Sequence, residues 1–164
     1  MTKVILLQQL KEFELATTKD LIMPTRVQAE NEDPVFRAAE VYNTRLPDSK
    51  AATKKAPYIL NQVITGKDMQ PSGQLVQSST TVRSIFCVYH PDEQEGGLAL
   101  LNLMERVRIN LIEKVVIGDQ FELDLETGIE FLIYPDDTAP YYIGEMVTTW
   151  IMPIVKREVP QIWQ

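Results

Sequence analysis

One run of residues limits the possible folds more than any other: Thr80-Thr81-Val82-Arg83-Ser84-Ile85-Phe86-Cys87-Val88-Tyr89. Its second half is apolar at successive positions, whereas a strand with one wet face alternates apolar and polar residues. A strand of this kind belongs in the middle of a sheet that is covered on both sides. Segment 98–114 supplies one cover. Leu100, Leu103, Met104, Val107 and Leu111 follow i, i+3, i+4, i+7, i+11, the pattern of a single buried helix face. Acids before this segment and Lys114 near its end suit the helix dipole.

The remaining elements fall around this pair. Residues 2–23 read as an amphipathic helix with Leu6, Leu10, Phe13 and Leu21 at helical spacing, Thr2 as its cap and Pro24 as its stop. From 24 to 56 the character changes: five acids, six bases and three prolines surround one compact apolar patch, Val41-Tyr42. A short strand at 40–46 and a strand at 58–64 are expected to pair antiparallel, with the polar link 47–56 as the hairpin tip. Ten residues exceed the two to five usual for such a tip, so the link reads as a flexible arm. Residues 66–79 read as a second polar loop with Pro71 and Gly73. Strands at 121–125 and 129–134 flank the turn Glu126-Thr127-Gly128, a turn-rich loop covers 135–140, and a long strand at 142–151 ends before Pro153. The tail 154–164, with Pro160 and Trp163, reads as irregular.

These elements define an α+β fold: a mixed, mostly antiparallel sheet with an N-terminal helix and a central helix packed on it, plus an extended loop or hairpin arm. One domain over 1–164 is expected, with the arm at about 24–56. At 164 residues folding buries roughly 70% of the surface that the unfolded chain exposes, so no covalent staple is needed. The single cysteine, Cys87, has no intrachain partner, which rules out an internal disulfide and suits a reducing compartment. Val4-Ile5-Leu6-Leu7 is too short for the core of a signal peptide and is followed at once by Gln8, Gln9, Lys11 and Glu12. No stretch approaches the ~20 apolar residues of a membrane span. A soluble protein that stays where it is made is the expectation.

The formal net charge is −7, and its distribution is uneven. Between Val115 and Val155 stand eight acids (Asp119, Glu122, Asp124, Glu126, Glu130, Asp136, Asp137, Glu145) and no Lys or Arg. That half repels a phosphate backbone, which argues against a DNA-gripping role; an ordinary solvated surface is the plainer account.

Candidate chemistry is sparse. His90 with Asp92, Glu93 and Glu95 offers metal-ligand residue types, but no Cys-x-x-Cys or His-x-x-x-His spacing accompanies them, and four such residues within six usually form a solvated loop. Cys87 lies mid-strand among large apolar residues, where a thiol is inert packing. Gly66-Lys67-Asp68 lacks the earlier glycine of a phosphate loop (Asn61 stands there) and has Asp68 in place of the magnesium-binding hydroxyl. Gly96-Gly97 before a helix can offer amides to an anion, which the acids beside it oppose. Asp136 and Asp137 suit turn formation better than acid–base work, since sequence neighbours on a turn point apart. Lys50, Lys54 and Lys55 form the one basic cluster, without the interleaved aromatics of single-strand binding. No catalytic, metal or cofactor residues emerge. The competing enzyme reading is a small metal-dependent enzyme centred on His90.

Several segments resemble prophage-encoded tail proteins: Arg45-Leu46-Pro47-Asp48-Ser49-Lys50 leading to Ala56-Pro57-Tyr58-Ile59, the strand 82–89, the helix opening Gly96-Gly97-Leu98-Ala99-Leu100-Leu101-Asn102, Tyr134-Pro135-Asp136-Asp137-Thr138-Ala139-Pro140, and Gly144-Glu145-Met146-Val147-Thr148-Thr149-Trp150. The element order is similar to that of tail-terminator, or tail-completion, proteins, over about residues 45–153. The resemblance implies a six-membered ring on the last ring of the tail tube. Such a ring stops tube growth, meets the head–tail connector and, in contractile tails, the sheath, while DNA passes without specific binding. It implies a place in the virion neck after assembly in the host cytoplasm, with no catalytic residues and no membrane contact. Lys50, Lys54, Lys55, Asp136, Asp137 and Trp163 are the interface residues expected on this reading. A head-completion or head-closure protein of the same neck is the near alternative.

Overall fold

Strand β5 (Gln77–Tyr89) runs through the middle of the sheet, antiparallel to β4 (Tyr58–Met69) on one side and to β9 (Tyr141–Ile151) on the other. The computed structural model describes residues 2–26, 33, 35–47, 55–156 and 158. Beyond β4 lies β3 (Glu40–Asn43); beyond β9 lie β7 (Phe121–Leu123) and then β6 (Val116–Ile117). Strand β8 (Glu130–Ile133) pairs with β9 on the same edge as β7. A separate two-stranded ribbon joins β1 (Met23–Pro24) to β2 (Phe36–Arg37). The expected α+β class, mostly antiparallel with an N-terminal and a central helix, is what the chain adopts.

Both helices cover one face of the sheet: α1 (Lys3–Thr18) crosses β3 and β4, and α2 (Glu93–Lys114) crosses β5 and β9. The main core lies between, where Leu6, Leu10, Phe86, Leu103, Met104 and Trp150 are fully buried. Thr2 caps α1, accepting from the Ile5 amide at 3.3 Å. The helix ends at Thr18, earlier than the expected 23, because the Thr18 hydroxyl bonds back to the Glu14 carbonyl at 2.7 Å and Met23–Pro24 is drawn into β1. Helix α2 begins at Glu93 rather than 98. Asp92 caps it through the Gln94 amide at 2.9 Å, so Gly96 and Gly97 lie inside the helix. Gly96 is required there: a Cβ would stand 2.0 Å from the Tyr142 ring, which rests on the first turn of α2.

Two sequence expectations are overturned. Strands β3 and β4 pair parallel, Glu40 opposite Tyr58 through Asn43 opposite Asn61, and not as an antiparallel hairpin. A parallel pair needs a connection of a dozen or more residues, and segment 44–57 supplies it. Leu46 and Ala56 at its two ends are buried with Tyr58, Leu60 and Cys87 in a second, smaller cluster on the helix-free face. Residues 66–79 are not a loop either. Strands β4 and β5 continue as a paired ribbon out to Met69 and Gln77, leaving 70–76 as the tip. The polar composition that suggested a loop fits a ribbon exposed on its edges, whose backbone groups satisfy one another. Gly66-Lys67-Asp68 therefore sits in extended strand.

Candidate functional site: the helix-free sheet face and its edges

Residues opposite one another on paired strands share a face of the sheet, so the register sorts the charges. Three rows cross the helix-free face from β4 outward. The first contains Lys67, Ser79, Ile151 and Glu122; the second Gln62, Arg83, Val147 and Glu130; the third Leu60, Ile85, Glu145 and Leu132. Bases occupy the β4–β5 side and acids the β7–β8–β9 side. Arg83 donates from Nη2 to Gln62 Oε1 at 2.8 Å, while its Nε is buried without a partner. Glu145 accepts from the Tyr134 hydroxyl at 3.0 Å; burial, and then this carboxylate, raises the Tyr134 phenol above its usual range.

The eight-acid block of the sequence is thus divided. Glu122, Glu130 and Glu145 share the helix-free face. Asp124 instead accepts from the Glu126 and Thr127 amides and from the Thr127 hydroxyl, organising the turn after β7, and these bonds hold its carboxyl below the usual range. Asp119 stands in a left-handed turn with φ of 56°.

Strand β8 carries the largest exposed apolar group among the strands: Phe131 39%, Leu132 50% and Ile133 39% accessible. Phe131 and Ile133 project to the helix side beside Met146 and Gly144, and Leu132 projects to the other. A groove of about 600 Å³ opens between the β4–β5 ribbon and the β7 turn, with Met69, Val76, Leu125, Met152 and Ile154 in its wall.

Of the interface residues expected from sequence, Asp136 and Asp137 are exposed in the loop from β8 to β9, where Asp137 accepts from the Ala139 amide at 3.3 Å. Lys55 is half-buried and its carbonyl accepts from Arg37 Nη2 at 2.6 Å. No salt bridge links it to either aspartate. Lys50, Lys54 and Trp163 lie outside the described residues, as does most of the link read as an arm. The residues that sequence reasoning missed are Phe131, Leu132 and Ile133, read only as an ordinary strand.

Cys87, the His90–Asp92 pair and Glu14 are each engaged in local packing or hydrogen bonds. Cys87 is fully buried, and desolvation pushes its thiol up to about 12 against a hydrogen bond with Tyr58. His90 Nδ1 accepts from the Asp92 amide at 3.0 Å, and the Asp92 carboxylate is turned to the start of α2. Among the described residues no three His, Cys, Asp or Glu side chains converge as a metal site would require. Among them, too, no helix is long and apolar enough to cross a membrane. Glu14 is fully buried beneath α1, bonded by Asn61, which in turn accepts from Ser84.

No protein-family model matches the chain, and no curated protein matches it.

Proposed function

We propose that the chain is a structural, non-catalytic assembly protein of a long bacteriophage tail: a ring of identical copies that caps the tail tube, ends its polymerisation and forms the head–tail joining surface. Its partners on this reading are further copies of itself, the tube protein, the head connector and, in a contractile tail, the sheath. Its place is the neck of the virion. The observation that carries the reading is the division of labour among side chains. What the fold leaves open to solvent are docking groups, namely the apolar strand β8 and the opposed rows of charge, whereas Cys87, Glu14 and the His90–Asp92 pair are engaged in packing and capping. The segments quoted above for their likeness to tail proteins supply the identity of the partners. On this reading Glu122, Glu130 and Glu145 keep passing DNA from sticking to the face they share.

Deleting the gene from its phage and viewing the lysate by electron microscopy tests the proposal. Overlong tails unjoined to heads are expected. Filled heads that leak DNA beside tails of normal length indicate a head-side neck protein instead, and normal particles overturn both.

A further inference from the structure

We infer that copies of this chain join head to tail by adding strand β8 of one copy to the outer edge of β4 in the next. The inference rests on the ring reading above and names the surfaces that would build the ring.

One edge is set by Thr44. Strand β3 covers β4 only from Tyr58 to Asn61. Thr44 donates to the Asn61 carbonyl at 2.7 Å and then, with φ of 68°, turns the chain away. Among the described residues nothing pairs with β4 from Gln62 to Met69 on that side. A groove along this edge is lined by Lys3, Val4, Gln62, Val63, Ile64 and Arg83, with Val4 and Ile64 64% and 47% accessible.

The other edge is β8, which among the described residues pairs with β9 alone. The Tyr134 amide donates to the Ile143 carbonyl at 3.0 Å, so by alternation the backbone groups of Phe131 and Ile133 point outward. Open edges of this kind are templates for another strand, and soluble proteins usually blunt them with Lys, Pro or a bulge. Strand β8 has three large apolar residues instead, whereas the β4 edge carries Lys67 and a bulge between Val63 and Thr65.

A second copy fits both edges. Lys3, Lys67 and Arg83 border the β4 edge, and Glu130 and Glu145 border β8, so each edge meets its opposite charge on the other. Through β5 and β9, β8 runs antiparallel to β4, so a rotation carrying one sheet onto the next sets the strands antiparallel. The two edges are different patches, which makes the contact heterologous; such contacts give a ring where the rotation between copies closes and an open filament where it does not.

The test uses the full chain and native mass spectrometry. Phe131→Pro removes an outward N–H without touching the ladder to β9. Ile64→Asp with Lys67→Glu makes the β4 edge acidic. The wild type is expected to form higher oligomers, and each variant alone to stay monomeric with unchanged circular dichroism. An equimolar mixture should give one-to-one dimers and nothing larger, because each variant keeps one working edge. A monomeric wild type at millimolar concentration, variants that still oligomerise, or a mixture of folded variants that stays monomeric each overturns the edge pairing. Where Phe131→Pro fails to fold, Glu130→Lys replaces it: assembly should weaken and then recover on adding Lys67→Glu, and no recovery overturns the inference. The gene deletion judges the ring reading separately, since normal tails reject it whatever the oligomer.

Discussion

Asn61 on β4 donates from Nδ2 to Oε2 of Glu14 on α1 at 2.6 Å, the polar tie that fixes the first helix on the sheet. Ser84 on β5 completes it by donating to Asn61 Oδ1 at 2.6 Å, and all three side chains are buried.

This tie makes stability depend on pH. Burial raises the Glu14 carboxyl to about 8, against the opposing hydrogen bonds of Asn61 and Ser84. The unfolded chain ionises this group near its ordinary value of 4.5, so the stability associated with the neutral acid is fully present below that pH and is lost as pH rises to about 8. The loss is on the order of 4 kcal/mol. Urea denaturation between pH 5 and 8 should show the midpoint falling, and Glu14→Gln should flatten the profile. A variant with the same slope as the wild type rejects this account.

Gly96→Ala should destabilise by about 1–3 kcal/mol, because the new methyl meets the Tyr142 ring. In a Tyr142→Ala background the sign should reverse, to a gain of roughly 0.5–1 kcal/mol, since alanine is the better helix former once the ring is gone. Thermal melts of the four proteins decide; equal effects in both backgrounds would exclude the clash.

Trp150 is fully buried and donates from Nε1 to Thr148 Oγ1 at 2.9 Å. Thr148→Val should cost about 1–3 kcal/mol by orphaning the indole N–H. Combined with Trp150→Phe, the valine should cost far less. Chemical denaturation of the double-mutant cycle reads the coupling, and simple additivity argues against it.

Cys87 should resist alkylation at pH 8 in the folded protein and react promptly in denaturant, because the buried thiol, pushed up to about 12, stays protonated. Native labelling at the rate of a free thiol contradicts the packing described for the second cluster.

Reversing Glu122 to Lys, on β7 and outside the edge pairing of β8, should slow DNA ejection from particles that still assemble. Ejection rates followed by dye release check this, and unchanged kinetics in intact particles removes Glu122 from that role.

The elements legible in the sequence were those whose burial imprints a period. Strand 80–89 and the stripe Leu100, Leu103, Met104, Val107, Leu111 gave the centre of the sheet and its cover, because what they bury is apolar apart from Thr80 and Ser84. The direction of β3 was not legible. Four residues with one apolar pair fit a parallel or an antiparallel neighbour equally, and the cluster beside this strand, Leu46 with Tyr58, Leu60 and Cys87, joins positions distant in sequence. The outer ribbon of β4 and β5 was hidden for a different reason: its Thr, Ser, Lys and Asp side chains need no core, so its composition is that of a loop. The exposed group Phe131, Leu132 and Ile133 looked like an ordinary strand because apolar residues in a row do not say which of their faces is covered. The division of the acids required the register, which no count of charges contains.

The turn between β7 and β8 sets where natural length variation can be accepted. Both strands lie along β9, and Asp124 holds the chain between them through three hydrogen bonds. One extra residue in 124–128 would slide β8 by one position and exchange Leu132 with its neighbours across the sheet. Relatives of this chain should accordingly vary freely at the 70–76 tip, whereas this turn should keep its length, or change it by two.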